Sequence, residues 1–254
     1  MTRASADPAA SALRLLTIDR GNSTLDCMFA GPGVVRRERL SDPAGIHDFL
    51  RGEVPDRVAA VSVVPGALEP LREQFERSGI AFRVAGVELP CPLRTRYPDP
   101  SSLGADRWVG AVAAWQRFGD AVIVDCGTAW TCNLVSSSGE FLGGSIGAGL
   151  TTMALGLRAR APGLPLFDGG VPATSPPVTT EDAVRLGIGQ GFRHMVEAVS
   201  ARLAAEAGLD GAVRVLTGGE AAAFLRLGGG GFVHVPDLIH EGLRWLDSTR
   251  ASGC

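Results

Sequence analysis

Two short stretches carry aspartate, glycine and hydroxyl residues in the same order. Ile18-Asp19-Arg20-Gly21-Asn22-Ser23-Thr24 closes one apolar run, and Val124-Asp125-Cys126-Gly127-Thr128 closes another about 106 residues later. Glycine lets such a turn reach φ > 0, and successive backbone N–H groups there form a nest for anions. Serine and threonine hydroxyls add donors to phosphate oxygens. An aspartate at the strand end repels phosphate but can hold a cation beside it. Asp19 therefore addresses a metal, and Gly21, Asn22, Ser23 and Thr24 address a nucleotide phosphate. One such match would equally suit an Asx turn in a hairpin. Two in register suggest a single phosphate-handling site. A third glycine turn, Thr217-Gly218-Gly219-Glu220, follows an apolar run and opens a helix; it suits an adenosine contact or a plain strand-to-helix turn.

Composition removes several alternatives. The 254 residues carry a net charge of −3, and all 24 basic residues are arginine. Without lysine the chain is neither a P-loop enzyme nor a protein kinase, since both need one at the phosphates. The charge is spread along the chain, so nucleic acid is not an expected partner. The five cysteines form no CxxC pair and read as reduced core thiols of a cytoplasmic protein. No apolar stretch approaches the ~20 residues of a membrane span. His47, His194, His234 and His240 lack metal-ligand spacing and read as surface or helix-end residues.

The elements that must position these turns follow from periodicity. Strands are predicted at 13–18, 24–30 and 33–39, a helix at 43–51, a strand at 57–63 and a helix at 65–78. Residues 87–102 hold four prolines and read as a loop. Ser102 is placed to cap a helix over 103–118. The pattern then repeats, with strands at 121–125, 130–136 and 140–146, a helix at 149–158, a Pro-rich loop at 162–179 and a long helix at 180–207. Strand 213–216, helix 219–227, strand 231–235 and helix 237–247 complete it. The expected organisation is a lead-in of residues 1–12 without fixed structure, an N-terminal lobe over 13–118 and a C-terminal lobe over 119–254.

These motifs, with "YPDPSSLGADR", "LGGSI", "TTEDAVRLGIGQG", "LTGGEA" and "PDLIHEGL" in order from about residue 14 to 246, resemble the type III pantothenate kinases of the acetate and sugar kinase, Hsp70 and actin superfamily. The resemblance implies an α/β, duplicated ribonuclease H-like (actin-like ATPase) fold of two βββαβα lobes with mixed sheets. It implies ATP-dependent phosphorylation of pantothenate to 4′-phosphopantothenate in coenzyme A biosynthesis, with ATP and Mg2+ and a monovalent cation, K+ or NH4+. By the same resemblance the protein is a homodimer. Asp19, Arg20, Gly21, Asn22, Ser23, Thr24, Leu25 and Asp26 correspond to the ATP loop, and Thr128 adds a contact. Asp125 corresponds to the monovalent-cation ligand. Tyr97, Gly104, Ala105, Asp106, Arg107 and Thr180 correspond to the pantothenate site, with Asp106 as the catalytic base.

The residues themselves bear on these assignments. Tyr97 is the single tyrosine and sits in a polar loop, away from any apolar face. Arg107 suits a bidentate pairing with the pantothenate carboxylate, or a solvated helix position. Asp106 suits a base or a carboxylate serving the helix dipole. An unperturbed aspartate, at pKa ~3.9, is a weak base, but loose phosphoryl transfer asks mainly for orientation and late proton acceptance. Arg20, Asp99, Trp130, Asn133 and Ala148 depart from the family's usual residues. A related small-molecule kinase and a nucleotide-binding regulatory protein without turnover are the alternative readings.

Overall fold

The computed structural model describes residues 13–251, so the expected lead-in at 1–12 lies outside the described residues. The chain forms two compact units: one contains residues up to Phe118 together with the segment from Asp237 onward, and the other spans Gly119–Pro236. The C-terminal segment follows the second unit in the chain but packs in the first.

In the first unit, β1 (Leu15–Arg20), β2 (Leu25–Gly31) and β3 (Val34–Leu40) form an antiparallel meander. A short helix α1 (Ile46–Leu50) leads to β4 (Arg57–Ser62), which lies parallel to β1. Helix α2 (Glu69–Arg77) then leads to β5 (Ala81–Val84), a strand the periodicity did not single out, parallel to β4. The order is β3-β2-β1-β4-β5. A two-residue strand β6 (Arg94–Thr95) interrupts the proline loop before α3 (Ala105–Phe118). Leu16, Ile18, Leu25, Cys27, Phe29, Val58 and Ala60 point to one face of the sheet and join Phe49, Leu71, Phe75 and Phe82 in a core. The other face lies under α3 and the C-terminal helix. Burial on both faces is why β1 and β4 are nearly continuous apolar runs.

The second unit repeats the order. β7 (Ala121–Cys126), β8 (Ala129–Val135) and β9 (Glu140–Ala148) form a meander, followed by α4 (Leu150–Arg160). The predicted helix 180–207 is three pieces in line: α5 (Thr180–Val184), a π-helical segment Arg185–Gln190, and α6 (Gly191–Glu206). Strand β10 (Val213–Thr217) runs parallel to β7, and α7 (Ala221–Arg226) leads to β11 (Val233–His234) and α8 (Leu238–Ala251). The order β11-β10-β7-β8-β9 matches that of the first unit, so the duplication extends to the fifth strand of each sheet. Val122, Val124, Trp130, Phe192, Phe224 and Leu216 form the core of this unit.

α8 and α3 pack closely because both use glycine at the contact. A Cβ on Gly110 would meet Ile239 at 3.2 Å, and one on Gly242 would meet the Val109 carbonyl at 2.3 Å. Trp115 and Trp245 meet edge-on, centroids 6.3 Å apart. Asp247, buried, takes Arg57 at 2.8 Å and Arg83 at 2.7 Å, tying α8 to β4 and β5. Among the described cysteines, Cys27, Cys126 and Cys132 are buried. Burial pushes the Cys27 thiol up to about 12. Cys91 is exposed, which corrects its reading as a core thiol; Pro90 and Pro92 beside it keep that segment irregular at the surface.

Candidate active site

The first glycine turn joins β1 to β2. Asp19 and Arg20 are half-buried at the end of β1, and Gly21 through Thr24 make the turn, closed by Gly21 N donating to Thr24 O at 3.1 Å. Asn22, Ser23 and Thr24 are exposed, as a loop that meets a ligand from solution requires. The next two residues differ from expectation. Leu25 is fully buried in the core, so only its backbone can face the turn.

Asp26 lies across from Asp19 in the β1–β2 ladder, yet its carboxylate is already engaged. Arg37 donates to it through Nε at 2.9 Å and a terminal nitrogen at 2.7 Å, and Arg39 Nε donates at 2.9 Å. His240 Nε2 is 3.2 Å away. Burial opposes the charge, but bonds from Arg37, His240 and Arg39 prevail and hold Asp26 well below the usual carboxylate range. The side chain of Asp26, expected in the ATP loop, is thus committed to Arg37, Arg39 and His240.

His240 lies in the first turn of α8, the helix-end place that was one of its two expected settings, but it is buried, 2 % exposed. Burial lowers its pKa, so the ring is neutral. Facing an ionised carboxylate, Nε2 must carry the proton, and Nδ1 then accepts from the Thr17 hydroxyl 2.8 Å away. Arg37 also pairs with Asp237 at the start of α8. Sequence reading missed this network because its members lie on β1, β2, β3 and α8 and share no spacing.

The acceptor residues cluster at the start of α3. Gly104 precedes the helix, Ala105 begins it, and Asp106 falls in its first turn. Asp106 Oδ1 accepts from Arg107 N at 2.7 Å. Burial, outweighing that bond and the Arg107 charge, raises the Asp106 carboxyl above its ordinary value. A Cβ on residue 104 would come within 2.8 Å of Asp106 Oδ1, so glycine leaves room for the carboxylate. Arg107 is buried and donates to the Tyr97 hydroxyl at 2.9 Å, its guanidinium carbon 6.0 Å from the ring centroid. A guanidinium has five N–H donors, so this bond orients the fork without consuming it. Tyr97 N donates in turn to Thr95 Oγ1 at 3.1 Å. Ser102 does not cap α3. Asp99 caps the 3-10 turn Pro100–Ser102 instead, accepting from Ser101 N and Oγ, which gives its departing carboxylate a local role.

The second unit holds Asp125, Thr128 and Thr180. Asp125 is half-buried near the end of β7, and Gly127 N donates to Ala129 O at 3.1 Å to close a turn that leaves Thr128 exposed. The third glycine turn roofs Asp125: a Cβ on Gly218, at φ +94°, would stand 2.2 Å from Asp125 Oδ1 and 2.4 Å from Cys126 O. Glycine there permits this close approach to a carboxylate oxygen and a carbonyl oxygen, the donor type hard cations use. Among the described residues no three His, Cys, Asp or Glu side chains form a metal cluster. Thr180 is exposed at the first position of α5, capped by Thr179. Trp130, a departure, fits because the facing strand carries Gly147, where a Cβ would lie 2.4 Å from the indole nitrogen.

A family model described as type III pantothenate kinase matches residues 15–202. A type III pantothenate kinase of Rhizorhabdus wittichii is 35% identical, the alignment covering 90% of this chain and 95% of that one. One from Streptomyces avermitilis is 33% identical over 91% and 96%. Among solved structures, a Baf family protein of Campylobacter jejuni is 22% identical with a TM-score of 0.64, covering 93% of this chain and 99% of that one. A ROK family glucokinase from Streptomyces griseus, solved with glucose and AMPPNP, is 12% identical with a TM-score of 0.54, covering 94% and 100%. The fold is thus the duplicated ribonuclease H-like one shared with such kinases.

Proposed function

The chain belongs to the type III pantothenate kinase family, and from that premise we propose how its own residues divide the work. The enzyme phosphorylates pantothenate with ATP, a step of coenzyme A biosynthesis. The acceptor oxygen forms a bond to the γ-phosphorus as the bond to the ADP oxygen breaks, and the hydroxyl proton must leave. Asp106 receives that proton. The observation that carries the assignment is its raised carboxyl beside the ordered Arg107–Tyr97 pair. A raised pKa makes aspartate a better base at neutral pH, and Oδ1 is already oriented by Arg107 N.

Arg107 and Tyr97 hold the pantothenate carboxylate end, with Gly104 and Ala105 beside them; Thr180 is a further pantothenate residue by its correspondence to the family. Asp19, Arg20 and the Gly21–Thr24 turn hold ATP phosphates, and Thr128 adds a hydroxyl. Arg20 supplies positive charge where the chain has no lysine. The divalent ion that accompanies ATP screens the phosphate charge when bound, and Asp19 is the carboxylate nearest that task. Asp125, with the Cys126 carbonyl under Gly218, suits a monovalent cation, potassium or ammonium. A homodimer and a cytoplasmic setting complete the reading, both carried by the family; no described helix is long and apolar enough to cross a membrane.

ADP formation with and without pantothenate, in KCl and in NaCl, tests it. Turnover is expected to need pantothenate and to be faster in potassium. ADP release indifferent to pantothenate would overturn the substrate assignment, and equal rates in both salts would overturn the role of Asp125.

A further inference from the structure

Helix α4 begins without a side-chain cap, since its N-cap residue is Gly149. Glycine is required there: a Cβ would lie 1.8 Å from the Gly127 carbonyl and 2.9 Å from the Thr128 carbonyl. The first turn nevertheless has an anion, supplied from 70 residues away in sequence. Leu150 N donates to Glu220 Oε2 at 2.8 Å, and Thr151 N donates to Oε1 at 3.1 Å. Glu220 is itself fixed, its backbone N donating to Cys126 O at 2.7 Å. The start of α4 then holds the second glycine turn, because Gly149 N at 3.0 Å and Thr152 Oγ1 at 2.6 Å both donate to the Thr128 carbonyl.

We infer that Glu220 is a positioning residue for ATP: its carboxylate clamps the N-terminus of α4, and α4 sets the Thr128 turn. The inference rests on the reading that this turn meets the nucleotide. Glu220 reaches no reacting atom in this account. It joins three segments, Asp125–Thr128, Gly149–Thr152 and Gly218–Glu220, that glycine lets approach closely. A carboxylate suits the task because it accepts two N–H groups at a helix end, where the dipole favours negative charge.

Steady-state kinetics of Glu220→Ala, Glu220→Gln and Thr128→Ala decide it, with amide hydrogen exchange as the second readout. Loss of two charge-assisted bonds is expected to raise the KM for ATP about 10-fold in Glu220→Ala, with the pantothenate KM within about twofold. Exchange at Leu150 and Thr151 should quicken. Glu220→Gln keeps one strong acceptor and should fall between, about threefold; it carries the test if the alanine variant does not fold. A lowered Tm with unmoved ATP KM in both variants would make Glu220 merely structural and overturn the inference. If Thr128→Ala raises the ATP KM while the Glu220 variants do not, this inference alone fails. If none of the three moves it, the reading of the Thr128 turn fails as well.

Discussion

Asp106 owes its basicity to where α3 starts. It is close enough to the helix N-terminus to accept a backbone N–H, which favours the anion, yet burial outweighs that effect and raises its pKa. Replacing it with asparagine keeps the size and removes the proton acceptor. Asp106→Asn should lower kcat by about 10²-fold or more, with the KM for ATP little changed, as measured by pantothenate-dependent ADP release. In the active enzyme kcat should fall as pH drops through the raised Asp106 pKa, because the protonated acid cannot accept. A flat acid limb would remove Asp106 from the role. Arg107 illustrates a residue whose type was legible while its partner was not: the Tyr97 hydroxyl, ten positions away, comes to it through the fold of an irregular proline loop.

At the scale of elements, the β1–β2 hairpin shows how one carboxylate can tie a turn to its neighbours. Asp26 joins β2 to β3 through Arg37 and Arg39 and to α8 through His240. Asp26→Asn leaves two arginines without their buried anion and should cost about 3 kcal/mol at neutral pH. The sign of its pH dependence is set by the lowered pKa. The stability is fully present above the ordinary aspartate value of 3.8 and is lost as pH falls from there toward the folded-state value. Urea unfolding of both proteins should therefore show a gap that is constant above about pH 5 and narrows below 3.8; a gap that widens in acid would contradict the ion-pair assignment. The periodicity that identified β1 and β2 carried no sign of this network. His240 lies on a helix remote in sequence, and only packing determines that it faces Thr17 and Asp26 instead of solvent.

For the molecule as a whole, the C-terminal helix is an integral part of the first unit although it follows the second in the chain. Leu243 on α8 is fully buried. Leu243→Ala should destabilise by about 2–5 kcal/mol, and hydrogen exchange should quicken in β1 and β4 before β7 and β10. Equal effects in both units would contradict the division. Local order was readable from one chain: apolar runs gave the meanders, Asp-x-Gly turns marked both ladder ends, and the absence of lysine excluded two other kinase architectures. β5 was not, because its four residues alternate too briefly to stand out beside a glycine turn. The π-helical segment likewise keeps helical spacing, so a single helix was the natural expectation. What the sequence by itself determined is the duplicated order of elements and the chemistry of the turns, since both depend on neighbours within a few residues. Tertiary structure alone decided that Asp26 pairs with Arg37, Arg39 and His240, that His240 is buried, that Glu220 caps a helix 70 residues distant and that α8 belongs with the first unit. Each of these turns on which partner a side chain or helix finds, and a partner across the sheet or from a remote segment leaves no periodic trace in the chain.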